Sequence, residues 1–126
     1  MNFEIKHIFE CSPTTLYNAW LDSNEHSEMT GGEAIIEAKI SSHFTAWDNY
    51  ISGEIMELKP HEYIKMKWRT NEFLSNQEDS IVEILFESIQ NNKTELTLIH
   101  SNLSENDIHY KQGWVDHYFS PMELYF

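Results

Sequence analysis

Among the side chains able to move a proton near neutral pH, His100 stands out by its place. Leu96, Leu98 and His100 share one face of an alternating run, opposite Thr97 and Ile99, so an imidazole takes a position where the pattern asks for an apolar residue. Such a group is either a hydrogen-bonded core histidine or one that orients a ligand or serves as acid or base. His117, on or beside the apolar stripe of the last helix, is the residue placed to approach it. No metal is expected, because His7, His26, His43, His61, His100, His109 and His117 include no pair at i, i+4 spacing and Cys11 stands alone. Nucleophilic catalysis needs a Ser or Cys beside an oriented base, and no nucleophile-elbow glycine motif surrounds any serine. The carboxylate pairs Glu78-Asp79 and Glu105 with Asp107 fall in turns, where capping and solvation explain them. Phosphate-cradling glycine patterns are absent, so no cofactor is expected.

What the sequence holds in excess is aromatic surface: 4 Trp, 6 Tyr and 7 Phe. A large ring with one polar N–H suits either a core edge or the wall of a ligand site. Strand parity and helix stripe select Trp20, Phe44, Trp47, Met66, Trp68, Phe86, Leu98, His100, Trp114, Tyr118 and Met122 as the candidate wall. A solidly packed interior is the alternative for the same set.

These side chains need elements to carry them. Residues 2–10 alternate, with Phe3, Ile5 and Ile8 as the inward set of a half-buried strand. Ser12 is a good N-cap and Pro13 suits a first helical turn, so a helix starts there and carries Leu16, Tyr17 and Trp20. Asp22-Ser23-Asn24 caps a second short helix through about Met29, and Gly31-Gly32 ends it. From Glu33 through about Asn102, short alternating runs between turn residues predict an antiparallel meander. Its strands are Ala34 to Ala38, His43 to Trp47, Tyr50 to Leu58, Tyr63 to Arg69, Ser80 to Ser88 and a last one holding Leu96 and Leu98. Gly53 within a run signals a bend or close packing. Parity also slips there, Gly53 and Ile55 sharing one face and Met56 and Leu58 the other, which predicts a bulge. From Ile108 to Phe126 the spacing is helical, with Trp114, Tyr118, Met122 and Tyr125 on one stripe, and Pro121 predicts a kink near His117 to Ser120. The order is that of an α+β fold: a curved antiparallel sheet of about six to seven strands wrapped around a long C-terminal helix, with two short helices after strand one. A sheet gripping a helix leaves a space suited to a small apolar ligand.

The charge balance narrows the partners. Eight Lys and Arg against 21 Asp and Glu give a net charge of −13 and a pI near 4.7, a field that repels phosphate, so neither nucleic acid nor an anionic membrane is expected. Lys65, Lys67 and Arg69 alternate with Ile64, Met66 and Trp68 as the wet face of a strand does. No apolar run nears the length of about 18 residues needed to span a bilayer. The start Met1-Asn2-Phe3-Glu4 lacks the regions of a signal peptide, and a lone Cys11 forms no internal disulfide, so a cytoplasmic location is expected.

The run Trp47-Asp48-Asn49-Tyr50-Ile51-Ser52-Gly53-Glu54-Ile55-Met56-Glu57-Leu58-Lys59-Pro60, with Ile64-Lys65-Met66-Lys67-Trp68-Arg69 after it, resembles the central signature of the START-like (SRPBCC, helix-grip) superfamily. Gln112-Gly113-Trp114-Val115-Asp116-His117-Tyr118-Phe119 is similar to the C-terminal domain of the activators of the ninety-kilodalton heat-shock chaperone ATPase, and Ser12-Pro13-Thr14-Thr15-Leu16-Tyr17 matches the opening of that family's first helix. The resemblance covers residues 7–126 and its motifs are mostly scaffold. It implies a single START-like domain over 1–126 and a cavity that in other branches holds lipids, sterols, polyketides or plant hormones. The leading expectation is therefore binding of a small hydrophobic ligand between sheet and C-terminal helix, without catalysis. The first alternative is a chaperone-interaction module; in the eukaryotic activators a separate N-terminal domain carries much of the stimulation, and this chain is read as lacking it. The second is a cyclase- or hydrolase-type enzyme, as some branches host, with His100 as base.

Overall fold

Strand β1 (Phe3–Phe9) opens the chain in the computed structural model, which describes residues 1–126, and helices α1 (Pro13–Trp20) and α2 (Ser23–Thr30) follow. Both helices start where a side chain satisfies an orphan amide: Ser12 Oγ accepts from the Thr15 N–H at 3.2 Å and Asp22 Oδ2 from the Glu25 N–H at 2.9 Å. Gly31, at φ 89°, ends α2 in the left-handed region that glycine enters without steric cost. The meander is β2 (His43–Ala46), β3 (Ile51–Lys59), β4 (Tyr63–Thr70), β5 (Ser80–Gln90) and β6 (Lys93–Ser101). Together with β1 these strands form one antiparallel sheet in the order β1-β6-β5-β4-β3-β2. Its concave face, including Ile55, Ile64, Met66, Val82, Ile84, Leu96 and Leu98, is fully buried against the helices. This is a helix-grip arrangement. No helix is long and apolar enough to cross a membrane.

Three sequence expectations change in detail. The segment Ala34 to Ala38 is not a strand; only Ile35 pairs, with Thr45. The Ser27 and Ser23 hydroxyls of α2 take the Ala34 and Ile36 amides at 2.8 and 2.9 Å, which ties this stretch to the helix instead of the sheet. In β1 the inward set ends on Phe9, 1% exposed, while Ile8 points out at 48%; parity runs unbroken from Phe3, so Ile8 falls on the wet face. The expected bulge is present at Met56, where the parity changes, between the pairs Ile55–Met66 and Glu57–Lys65. Gly53 is explained by packing, because a Cβ there would strike the Lys67 carbonyl oxygen and the Phe44 ring.

The third change concerns the last helix, which runs as α3 (His109–Trp114), a π-helical turn (Val115–Phe119) and α4 (Ser120–Tyr125). The dihedrals at Val115 and Ser120 stay helical, so these are segments of one rod, and the Ser120 N–H reaches back five residues to the Val115 carbonyl. A strict α-helix would drive the Pro121 ring into the carbonyl of residue 117 and leave that carbonyl without a donor. The wide turn just before Pro121 is how the chain meets this conflict. It also shifts the buried stripe by one residue: Tyr110, Trp114 and, within the turn, Tyr118 continue one inward row, and Phe119 at its end starts a second that runs to Met122, with Phe126 packed on the core. Tyr125, expected on the stripe, is consequently exposed.

Candidate functional site

A cleft of about 510 Å³ opens between the C-terminal helix and the β2–β3 turn. Its floor is a run of touching rings: Trp68 lies 5.1 Å from Tyr110 and 5.6 Å from Trp114, and Trp114 lies 4.8 Å from Tyr118, centroid to centroid. All four residues are buried. Trp47 forms the opposite wall and meets His117 edge-on at 5.6 Å. Tyr50 and Ile51 continue that side, and His109, Gln112, Gly113 and Asp116 line the helix side.

Trp47 reaches its place through backbone geometry. Trp47, Asp48 and Asn49 have φ of 51°, 56° and 72°, three successive residues in the left-handed region, where an L side chain costs roughly 1–2 kcal/mol. Asp48 offsets part of this cost: its side chain accepts from the Glu33 N–H at 3.0 Å and its own N–H donates to the Glu33 carbonyl at 3.1 Å. The Trp47 ring then lies on Gly32, where a Cβ would come within 2.5 Å of it. The Gly31-Gly32 pair thus ends a helix with its first member and seats one wall of the cleft with its second.

Two buried histidines clamp the floor from behind. The Trp114 Nε1–H donates to His100 Nδ1 at 3.0 Å, which leaves the imidazole proton on Nε2. That Nε2–H donates to Ser80 Oγ at 2.8 Å, and the Ser80 hydroxyl donates to the Trp68 carbonyl at 2.6 Å. The second chain runs from the Tyr118 hydroxyl to His26 Nε2 at 2.9 Å, with His26 Nδ1–H donating to the Trp20 carbonyl at 2.7 Å. Both histidines are neutral by environment. Burial pushes His100 down to about 3, opposed by the Asp107 charge, and His26 down to about 4, opposed by its bond to the Trp20 carbonyl. Burial likewise pushes the Tyr118 phenol up. With both ring nitrogens engaged and both side chains buried, neither imidazole is placed to pass a proton to a molecule in the cleft.

The structure brings four of the eleven candidate wall residues to the cleft, namely Trp47, Trp68, Trp114 and Tyr118. The other seven lie in the packed interior. Trp20, Met66, Leu98, His100 and Met122 are at most 1% exposed, and Phe44 and Phe86 are buried under Gly53 and Tyr17. Trp20 stacks on Tyr118 at 5.1 Å and fills the space expected between sheet and helix. The open volume lies instead along the helix flank. Tyr50, Tyr110 and Asp116 were missed by sequence reasoning, although Tyr110 precedes Trp114 by four residues on the same helical stripe and could have been found from that spacing.

Comparison with known proteins adds relatives to this geometry. The family described as activator of Hsp90 ATPase homolog 1-like protein matches residues 10–126. The human activator of 90 kDa heat shock protein ATPase homolog 1 is 30% identical over 124 residues, covering 97% of this chain and 36% of that protein. Its mouse counterpart is 29% identical over the same share. The chain therefore spans about a third of the length of the curated relatives it matches. The crystal structure of an HSP90 activator from Plasmodium falciparum superposes with a TM-score of 0.88 at 26% identity, over 98% of this chain and 94% of that one. The solution structure of the Aha1 dimer from Colwellia psychrerythraea has the same fold, with a TM-score of 0.80 at 15% identity over 95% of this chain and 92% of that one.

Proposed function

From the premise that this chain belongs to the family of activator of Hsp90 ATPase homolog 1-like proteins, we propose that it docks on a ninety-kilodalton heat-shock chaperone and raises its ATPase rate. One observation carries the reading: a protein described as an HSP90 activator matches this chain across 94% of its own solved length, at 26% identity and a TM-score of 0.88. The interior supports a binding role. The residues expected to surround an internal ligand are close-packed, and the two buried imidazoles are spent on holding the C-terminal helix. A net charge of −13 speeds encounter with a basic partner surface and makes the complex sensitive to salt. A cytoplasmic setting belongs to the same proposal. The test is the steady-state ATPase rate of purified chaperone titrated with this chain at low and high salt. The expected result is a saturable increase that requires more protein at high salt; an unchanged rate at excess overturns the reading.

A second reading is favoured by the cleft itself. Its volume of about 510 Å³ lies within the range of small-molecule sites, roughly 300–1,000 Å³. Small-ligand binding is therefore proposed at the helix flank, with Trp47 as a wall and Trp114 in the floor.

A further inference from the structure

We infer that the ligand class of this cleft is a small organic cation with an aromatic or otherwise apolar body, a choice that rests on the second reading above. The lining joins aromatic residues from three elements, Trp47 and Tyr50 at the β2–β3 turn, Trp68 on β4, and Tyr110 and Trp114 on the helix, and it includes no lysine or arginine. The charged carboxylate among the lining residues is that of exposed Asp116. One of its oxygens accepts from Gln112 Nε2 at 2.9 Å, which fixes the group at the mouth and leaves the second oxygen without a protein partner. Aromatic rings carry negative faces that attract a cation within about 6 Å of the centroid, and they repel an anion for the same reason. The chain's lysines and arginines leave these rings free, since Lys59 sits over Tyr63 and Arg69 over Phe73, neither of which lines the cleft; the imidazoles that touch the rings are His117 against Trp47 and His109 against Tyr110. The net charge of −13 adds a long-range field of the same sign preference. An apolar body would rest on the Trp68–Trp114 floor while the charged head faces Asp116.

Three probes place charges of opposite sign, or none, on nearly the same body: benzyltrimethylammonium, benzyl alcohol and phenylacetate. Each is titrated into the full chain at pH 8, where free imidazole is neutral, with the indole N–H resonances of Trp47, Trp68 and Trp114 as the readout. The expected result is saturable shifts with the ammonium, binding about tenfold tighter than benzyl alcohol, and none with phenylacetate. Asp116→Asn, at an exposed position, should weaken the ammonium several-fold and leave benzyl alcohol unchanged. Equal affinity for ammonium and alcohol, or tighter binding of phenylacetate, overturns the charge assignment while the cleft stands as a ligand site. No shift with any probe at millimolar concentration overturns the assignment and the second reading together.

Discussion

Acidification should weaken the hold on the C-terminal helix by an amount set by His26 and His100. Both imidazoles are held low in the fold, at about 4 and about 3, against about 6.5 when free. A folded value below the unfolded one means that the unfolded chain binds more protons in between. Stability is then flat above the unfolded value, falls as pH drops through about 6.5, and keeps falling until the folded values are reached. At ~pH 5.5 an unfolded imidazole is about nine-tenths protonated and its folded counterpart is not, which costs about 1.4 kcal/mol per histidine and about 3 kcal/mol for the pair. The chain also carries 21 carboxylates that begin to titrate on the way down, so the informative quantity is a difference between curves. Urea unfolding of wild type, His26→Gln and His100→Gln at steps from ~pH 7.5 to ~pH 5.5 supplies it. Each variant starts less stable, because it cuts hydrogen bonds, but should lose about 1.4 kcal/mol less across the interval. Parallel curves would refute the reasoning: they would mean that these imidazoles accept protons in the folded state as readily as in the unfolded one.

Two further substitutions test the packing that shapes the sheet and the clamp. Gly53→Ala should destabilise by about 2 kcal/mol or more in urea unfolding, because the new methyl meets the Lys67 carbonyl, which is backbone and cannot swing aside. Ser80→Ala removes the acceptor of the His100 Nε2–H at a fully buried site, and an orphaned donor of that kind costs about 1–3 kcal/mol. The same variant should shift the Trp114 indole N–H resonance, since His100 is then free to turn.

Much of the architecture was legible because local signals agreed with one another. Ser12 before Pro13, Asp22 before Ser23 and the Gly31 stop each named a helix boundary that the structure reproduces, and period-two alternation located β3 to β6 to within a few residues. Ala34 to Ala38 failed because alternation cannot reveal that two serines, seven and thirteen residues before the amides they bind, hold this stretch. The resemblance carried by Gln112 to Phe119 and by Ser12 to Tyr17 identified the family, while the shape of the C-terminal segment stayed hidden: Pro121 announces a disturbance but not that one extra residue will be absorbed in a wide turn. The candidate wall was legible only in part. Parity says which side chains face inward, yet filled core and open cleft share the same inward face, and only three-dimensional packing separates Trp20 from Trp114.

The wide turn at Val115–Phe119 has a consequence for how this chain can vary. It splits one rod into halves that keep separate frames: Tyr110 and Trp114 answer to the cleft, Phe119 and Met122 to the core beneath α2 and β1. A seam of one residue insulates them, so a sequence change that rotates the first half need not drag the second out of its socket. The half that lines the cleft can therefore drift while the half that anchors the fold stays put.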